Sequence, residues 1–146
     1  MATQQELDAT YMGVAMLHAK LSKAKRLQVG SVLVTATGSL VPAVNGLPKQ
    51  LGNDCEIEKD GVMVTWDAVQ HAERQVINKC AIEGISTKGA KVYITHSPCL
   101  TCASSLIACG ISEVIYAEKY RDPVGIELLE KAGIRVRQFK NREFYL

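Results

Sequence analysis

The second half of the chain alternates strands and helices, and this alternation limits the possible folds more than any other feature. β-rich segments at 92–95, 113–117 and 134–139 are separated by two segments with apolar residues at helical spacing. Ser97-Pro98 precedes the first helical segment and Asp122-Pro123 the second, and each pair joins a capping residue to a first-turn proline. Consecutive strand-helix-strand units place their strands in parallel. We therefore expect the last three strands to be parallel.

The first half of the chain begins with a helix and a hairpin. Thr3 and Glu6 form a capping-box pattern ahead of apolar residues at helical spacing, which predicts a helix over 4–22. Two β-rich segments at 29–35 and 40–44 flank a turn-forming stretch, and this arrangement predicts a hairpin.

The rest of the first half joins this hairpin to the third strand. The segment 46–66 shows little periodicity and is expected to be a long loop, followed by a helix over 67–82. The chain has 146 residues, 47% of them apolar, which suits a single domain, 1–146. We expect a three-layer α/β/α fold on a mixed five-stranded sheet.

Charge and hydropathy exclude several classes of protein. Lys and Arg number 17 and Asp and Glu 15, and the net charge of +2 gives no field of the strength that nucleic-acid-binding proteins use. We therefore expect a small polar substrate and no nucleic-acid partner. No apolar run approaches the roughly 20 residues of a membrane span, and no secretory pattern opens the chain. We expect no membrane association and a cytoplasmic location.

Two short motifs carry residues suited to metal chemistry. They are His71-Ala72-Glu73 and Pro98-Cys99-Leu100-Thr101-Cys102, each at the start of a predicted helix. One imidazole and two thiolates suit Zn²⁺, and three protein ligands leave a fourth position for water, as in catalytic zinc sites. Cys99 and Cys102 share one face of a helix, and the helix N-terminus favours their thiolate forms. We expect one zinc ion per chain.

The spacing of the first motif leaves one point open. His71 and Glu73 are two positions apart, which on a regular helix turns their side chains about 200° from each other. They can face one site only if His71 lies in the first turn.

The two motifs together resemble the signature of the zinc cytidine and deoxycytidylate deaminase superfamily, H-x-E followed by P-C-x-x-C. The resemblance implies that His71, Cys99 and Cys102 bind zinc and that Glu73 transfers protons. The zinc ion would lower the pKa of a bound water molecule, and the resulting hydroxide would attack C4 of cytosine. Glu73 would take the proton from this water, deliver it to N3 and later protonate the departing amino group.

The similarity to deoxycytidylate deaminases extends over nearly the whole chain. Gln28-Val29-Gly30, Asn45-Gly46 and the segment 132–136 resemble parts of that family in the same order. This implies the conversion of dCMP to dUMP with release of ammonia, a step that supplies the precursor of dTMP. It also implies substrate contacts outside the metal ligands, from Ser22, Lys23, Lys25, Arg26, Asn45, Ala72, Ser97 and Tyr120.

Several of these residues have a second interpretation. Lys23, Lys25 and Arg26 form the basic cluster expected to bind the phosphate, but a helix end also carries solvated cations. Asn45 is expected to contact the sugar, although Asn-Gly is also the commonest hairpin turn pair. Tyr120 either forms a wall of the base pocket or is an ordinary surface residue.

Regulation and assembly follow only from the family resemblance. Regulated members carry Gly-Tyr before Asn-Gly, where this chain has Ala43-Val44. This difference argues against regulation by dCTP and dTTP. The resemblance favours a homo-oligomer, with a hexamer preferred and a dimer also compatible with the sequence.

Two other functions stay open at this point. The first is another deaminase of the same fold, acting on transfer RNA adenosine, single-stranded DNA, guanine, or free cytosine or cytidine. The nucleic-acid substrates require a basic track and stacking aromatic residues, but aromatic residues make up 5% of the chain. The second is a non-catalytic zinc-stabilised module, in which His96 or Cys55 closes the site as a fourth ligand.

Overall fold

The computed structural model describes residues 1–120 and 122–140, which form helices on both faces of a central sheet. In chain order the elements are α1 (Gln4–Ala19), β1 (Gly30–Val34), β2 (Leu40–Val44), β3 (Glu56–Lys59), β4 (Val62–Thr65), α2 (Ala72–Glu83), β5 (Lys91–His96), α3 (Leu100–Ala108), β6 (Glu113–Glu118), α4 (Val124–Lys131) and β7 (Arg135–Gln138). A short 3₁₀ helix, Lys49–Leu51, precedes β3.

The central sheet has five strands in the order β2-β1-β5-β6-β7. β1 is antiparallel to both of its neighbours, β2 and β5, whereas β5, β6 and β7 are parallel to one another. The predicted mixed sheet with parallel last strands is therefore confirmed. Because β5 leads into α3 and β6 leads into α4, the chain after each of these strands emerges at the same edge of the sheet.

Alternate residues of each strand face opposite sides of the sheet, and both sides are covered. Leu33 of β1 is fully buried with Val76 of α2 and Leu106 of α3, in a cluster that also includes α4. Its neighbour Val32 is fully buried on the other side with Met12 of α1. These two clusters make the three layers predicted from the sequence. Within the described residues, no helix has both the length and the apolarity needed to cross a bilayer.

The segment 46–66 is not a simple loop, so this prediction is wrong. It contains the antiparallel hairpin of β3 and β4, which forms a separate two-stranded sheet. Asp60 and Gly61 form the turn with φ of 53° and 79°, and two positive φ values in succession are typical of a type I′ turn. Asp-Gly between β-rich residues is itself a hairpin signal, which the lack of longer periodicity concealed.

Two helices are shorter than predicted. α1 ends at Ala19 instead of residue 22, and α2 begins at Ala72 instead of residue 67. The late start of α2 has a physical cause, because Gly46 and Gln70 exchange two backbone hydrogen bonds of 3.0 and 2.8 Å. These bonds hold the chain before His71 in an extended form. The predicted capping box of α1 is present, with Thr3 and Glu6 bonded reciprocally.

A buried ion network joins α1 to the last two strands. Arg137 of β7 donates from Nη1 to Asp8 at 2.8 Å and from Nε to Glu113 at 2.6 Å. Tyr93 donates its hydroxyl to Asp8, and both carboxylates are almost fully buried. Burial alone would raise the pKa of Asp8, but the hydrogen bonds from Arg137 and Tyr93 outweigh it and lower that pKa.

We expect Arg137→Met to destabilise the protein by about 3 kcal/mol at neutral pH, because it leaves the buried carboxylate of Asp8 without its cation and removes the shortest ion pair of Glu113. The folded state lowers the pKa of Asp8, so its stabilising contribution is present above the unfolded value and is lost as the pH falls through the folded value. Urea titrations of the wild type and the variant measure this loss. The difference in their free energies of unfolding should shrink below about pH 4.

Lys91→Met is the matched control for this prediction. Lys91 lies 3.5 Å from Glu113, but its side chain is 41% exposed, so its loss should cost less than about 1 kcal/mol. A difference for Arg137→Met that stays constant from pH 7 to pH 3 would show that Asp8 is not the titrating group.

Candidate active site

The two sequence motifs lie at the N-termini of α2 and α3. His71 is the N-cap of α2 and Cys99 the N-cap of α3, and neither side chain makes a capping hydrogen bond. Cys102 lies in the first turn of α3 and is fully buried. Because His71 precedes the helix instead of lying within it, the 200° separation estimated for a regular helix does not apply. His71 and Glu73 can therefore face one site.

Three donor atoms converge between these helix ends. Nδ1 of His71 lies 3.3 Å from Sγ of Cys102 and 3.6 Å from Sγ of Cys99. All three atoms lie within 4.8 Å of one another. Ligands of a tetrahedral zinc ion with ordinary bond lengths have nitrogen and sulfur about 3.5 Å apart. The donor set and its spacing therefore fit Zn²⁺.

Within the described residues, this is the one group of three or more His, Cys, Asp or Glu side chains placed to hold a metal ion. Neither His96 nor Cys55 belongs to it. Nδ1 of His96 lies 3.3 Å from the hydroxyl of Thr95, while Cys55 is buried in an apolar cluster with Ala24 and Val69. Among the described residues, the closed structural site considered from the sequence is not formed. Three protein ligands are the arrangement of a catalytic zinc site.

The hydrogen bonds among the ligands set their protonation. Bonds with Cys102 and His71 lower the pKa of the Cys99 thiol to about 3. The bond with Cys99 raises the pKa of His71, and the pairing with Cys99 together with burial raises that of Cys102. Cys99 therefore has the strongest thiolate character, which is the form that binds metals.

Glu73 lies beside the ligands in the first turn of α2. Its side chain is buried, with the residue only 4% exposed, and this burial raises its pKa to about 7. Cys102 is a hydrogen-bond partner of the carboxyl group. A buried carboxyl group next to three metal ligands meets the positional requirement for a residue that moves protons to and from a bound substrate.

A cavity of about 530 Å³ opens over these groups, which is a suitable size for a small polar ligand. Five of the eight predicted substrate-contact residues line it: Arg26, Asn45, Ala72, Ser97 and Tyr120. The other three, Ser22, Lys23 and Lys25, lie along a shallower adjoining groove formed by residues 22–28. The cavity is therefore bounded by the two motifs, the end of β2, the segment before β1 and the segment after β6.

The side chain of Asn45 is bonded to the segment before β1. Oδ1 accepts from Oγ of Ser22 at 2.7 Å and from the backbone N–H of Val29 at 2.8 Å. Nδ2 donates to the carbonyl of Leu27 at 2.8 Å. Asn45 follows β2 and lies outside the hairpin turn between β1 and β2, so the alternative of a hairpin-turn residue is wrong. Its contact with a sugar stays a prediction.

Ser97 does not cap α3, because Cys99 occupies the N-cap position, so this prediction is wrong. Ser97 instead links the metal-ligating segment to the segment after β6. Its hydroxyl accepts from the backbone N–H of Tyr120 at 2.7 Å, and its own N–H donates to the carbonyl of Glu118 at 2.9 Å. Asp122 was predicted to cap the next helix. Its carboxylate does accept a hydrogen bond from the N–H of Val124 at the start of α4.

α4 supports the same segment from another side. A Cβ atom on Gly125 would lie 2.0 Å from the carbonyl oxygen of Pro98 and 2.9 Å from that of Cys99. No side chain fits at this distance, so glycine is required for α4 to pack against the backbone that carries Cys99.

Some cavity residues were not found from the sequence. Thr65 and Val69 belong to the hairpin and to the segment before His71, and His96 ends β5. The Asp60-Gly61 turn signal could have placed Thr65 near the end of a hairpin. Val69 carries no local signal, because only long-range packing brings it to the cavity. His96 was considered only as a fourth zinc ligand, and its place in the cavity wall was not predicted.

Comparison with known proteins agrees with this site. The family model of the cytidine and deoxycytidylate deaminase zinc-binding region matches residues 5–118, a range that contains both motifs. The fold and the site thus define a zinc-dependent deaminase class, and the chain belongs to the cytidine and deoxycytidylate deaminase family.

Three individual proteins show which members of this family the chain resembles. The chain is 34% identical to ComE operon protein 2 of Bacillus subtilis, covering 91% of this chain and 76% of that protein. It is 32% identical to deoxycytidylate deaminase of Saccharomyces cerevisiae, covering 93% of this chain but only 46% of the yeast protein. The structure of dCMP deaminase from cyanophage S-TIM5 in complex with dCMP and dUMP matches with a TM-score of 0.85 and 33% identity, over 94% of this chain and 100% of the phage chain.

Proposed function

We propose that the chain catalyses the hydrolytic deamination of dCMP to dUMP and ammonia, a step that supplies the precursor of dTMP. The observation that carries this proposal is the convergence of His71, Cys99 and Cys102 beside the buried carboxyl group of Glu73 on a cavity of nucleotide size. The 33% identity to a phage dCMP deaminase favours this substrate within the family.

The chemistry assigns a distinct task to each group. His71, Cys99 and Cys102 would hold the zinc ion, which when bound supplies the Lewis acidity that makes water a nucleophile near neutral pH. Glu73 takes the proton released by the attacking water and delivers it to N3 of the ring as C4 is attacked. The carboxylate left by this transfer takes the remaining proton of the hydroxyl group on C4 and passes it to the amino nitrogen, and the C4–N bond breaks to release ammonia as the C4 carbonyl forms.

Recognition of the monophosphate is assigned to the segment before β1. Arg26 lines the cavity, and a guanidinium group binds phosphate through two parallel hydrogen bonds. Lys23 and Lys25 lie along the adjoining groove, where they add positive charge. The backbone N–H of Lys25 donates to the carboxylate of Glu56 on β3, which attaches this segment to the hairpin. We assign the sugar to Asn45, and the base to Ala72, Ser97 and Tyr120.

A substrate panel on zinc-loaded protein tests the proposal. We expect dCMP to be the preferred substrate among dCMP, CMP, deoxycytidine, dCTP and cytosine. Arg26→Leu should lower kcat/KM for dCMP by about 10- to 100-fold, because it removes a charged hydrogen-bond donor, and should leave deoxycytidine almost unchanged. The measurement is the loss of aminopyrimidine absorbance, with Lys88→Leu as an exposed control outside the cavity lining.

The same panel separates the other functions. Guanine and a transfer RNA stem-loop containing adenosine are added to it, at low and high salt. Turnover of guanine or of the RNA without turnover of dCMP would assign the chain to a deaminase of the same fold with another substrate. Zinc-loaded protein without activity on any of these compounds would favour a non-catalytic module.

We also propose a cytoplasmic homo-oligomer, with a hexamer preferred, that dCTP and dTTP do not regulate. The β3–β4 hairpin supports assembly, because it exposes Ile57, Val62 and Met63 at 38%, 61% and 59%. Ala43 and Val44 replace the Gly-Tyr pair of regulated relatives. Light scattering measures the mass, and a monomer at micromolar concentration would contradict the assembly. A change in the dCMP saturation curve on adding either triphosphate would contradict the absence of regulation.

A further inference from the structure

We propose that Ser22 is a positioning residue that determines the preference for a phosphorylated substrate without touching that substrate. The inference rests on the phosphate recognition proposed for Arg26. It concerns the segment 22–29, which connects α1 to β1 and has no helix or strand of its own.

Ser22 is the centre of a hydrogen-bond network inside this segment. The residue is only 4% exposed, and its hydroxyl donates to Asn45 at the backbone carbonyl, 2.9 Å away, and at Oδ1, 2.7 Å away. The same oxygen accepts from the backbone N–H of Ala24 at 3.2 Å. The carbonyl of Ser22 accepts from Nε2 of Gln28 at 2.9 Å. The backbone N–H of Ser22 also donates to the carbonyl of Ala19 at 3.1 Å, so five hydrogen-bond contacts meet at one buried residue, two of them sharing the single hydroxyl proton.

Asn45 completes the network at the other end of the segment. Its amide group bonds Leu27 and Val29, so the segment is attached to the end of β2 at both of its ends. Arg26 lies between these attachments and lines the cavity, whereas Ser22 is absent from the cavity lining and, although it borders the adjoining groove, has its hydroxyl bonded to Asn45. The position of Arg26 relative to the zinc ligands is therefore set by hydrogen bonds within the protein that do not involve the substrate.

Removing the hydroxyl has a defined consequence. Ser22→Ala removes the hydroxyl proton that the two oxygens of Asn45 share and the oxygen that accepts from Ala24, and it leaves Oδ1 of Asn45 with one donor in place of two. The segment gains freedom, and Arg26 must then be ordered when the phosphate binds, which weakens binding of dCMP in particular. Deoxycytidine has no phosphate for Arg26 to bind, and the amide group of Asn45 keeps its bonds to Val29 and Leu27, so KM for deoxycytidine should change little.

The experiment compares KM and kcat for dCMP and deoxycytidine in the zinc-loaded wild type and in Ser22→Ala. We expect KM for dCMP to rise about tenfold with kcat within about twofold, and KM for deoxycytidine to stay within about twofold. Ser22→Thr keeps the hydroxyl and should restore the wild-type ratio of the two KM values. Ser86→Ala is the matched control, because Ser86 is exposed and lies outside the cavity lining.

A second variant covers the case in which Ser22→Ala fails to fold. Gln28→Ala removes one bond of the same network from a part-buried site and should raise KM for dCMP about two- to threefold. An unchanged KM ratio in each variant that folds would overturn the proposal.

Hydrogen exchange separates this inference from the proposed function. Amides of residues 24–29 should exchange faster in Ser22→Ala than in Ser86→Ala, whichever substrate the enzyme prefers. If the wild type shows no preference for dCMP, phosphate recognition by Arg26 is wrong. Faster exchange of residues 24–29 in Ser22→Ala would in that case still show that Ser22 orders the segment. A wild type with that preference and a Ser22→Ala variant that keeps it would reject the positioning role alone.

Discussion

Glu73→Gln is expected to keep its zinc and its fold and to lose at least about a thousandfold in kcat on dCMP. The amide has the size of the carboxyl group but cannot take a proton from water or return one to the amino nitrogen. Of the described residues that line the cavity, Glu73 alone carries a carboxyl group, so no neighbouring acid can replace it. Zinc content by mass spectrometry and kcat by absorbance measure the two properties on one sample.

Glu83→Gln is the matched control for this substitution. Glu83 ends the same helix as Glu73 but is exposed and lies outside the cavity lining. Its replacement should leave zinc content and kcat unchanged. A Glu73→Gln protein with full zinc and more than a tenth of the wild-type kcat would contradict the proton-transfer role.

Cys99→Ser is expected to abolish both zinc retention and activity. The substitution replaces the sulfur with the strongest thiolate character, one of three ligands, by a poor zinc donor. Because the metal binds the folded chain and not the unfolded one, its loss also lowers stability, by about 2.7 kcal/mol for a site present at a hundred times its Kd. The variant should therefore unfold at the temperature of the chelated wild type, and chelator should have no further effect on it.

Cys109→Ser controls for the loss of a thiol as such. Cys109 is partly exposed at the end of α3 and does not belong to the group of converging donors among the described residues. This variant should keep zinc, activity and the response to chelator. Full zinc occupancy in dialysed Cys99→Ser would remove Cys99 from the ligand set.

The parts of the fold that could be predicted depend on neighbours in the chain. The parallel order of β5, β6 and β7 follows from two strand-helix-strand units, whose connections are too short to allow many alternatives. The zinc ligands could be identified because each motif is a short segment at a helix start. Cys99 and Cys102 are held together by the first turn of a single helix, and a single cap position orients His71 beside Glu73.

The missed features depend on contacts between distant segments. The late start of α2 comes from the pairing of Gly46 with Gln70, 24 positions later, and no residue near 67 signals it. Ser97 was expected to cap a helix, because its local sequence suits a cap. Its hydroxyl is instead used by Tyr120, a residue that the parallel pairing of β5 with β6 brings beside it.

The two motifs, residues 71–73 and 98–102, thus indicate the metal chemistry by themselves, because the start of α2 holds His71 beside Glu73 and the first turn of α3 holds Cys99 beside Cys102. The packing that brings these two helix ends together, so that His71 meets the two sulfurs, is tertiary. The shape of the cavity and the task of each residue around it belong to the tertiary structure. Ser22, predicted to touch the substrate, is bonded to Asn45 across 23 positions, and Gly125 fits against Pro98 only because α3 and α4 pack together. Such contacts arise from packing of the whole chain, because burial decides which polar groups must bond to one another.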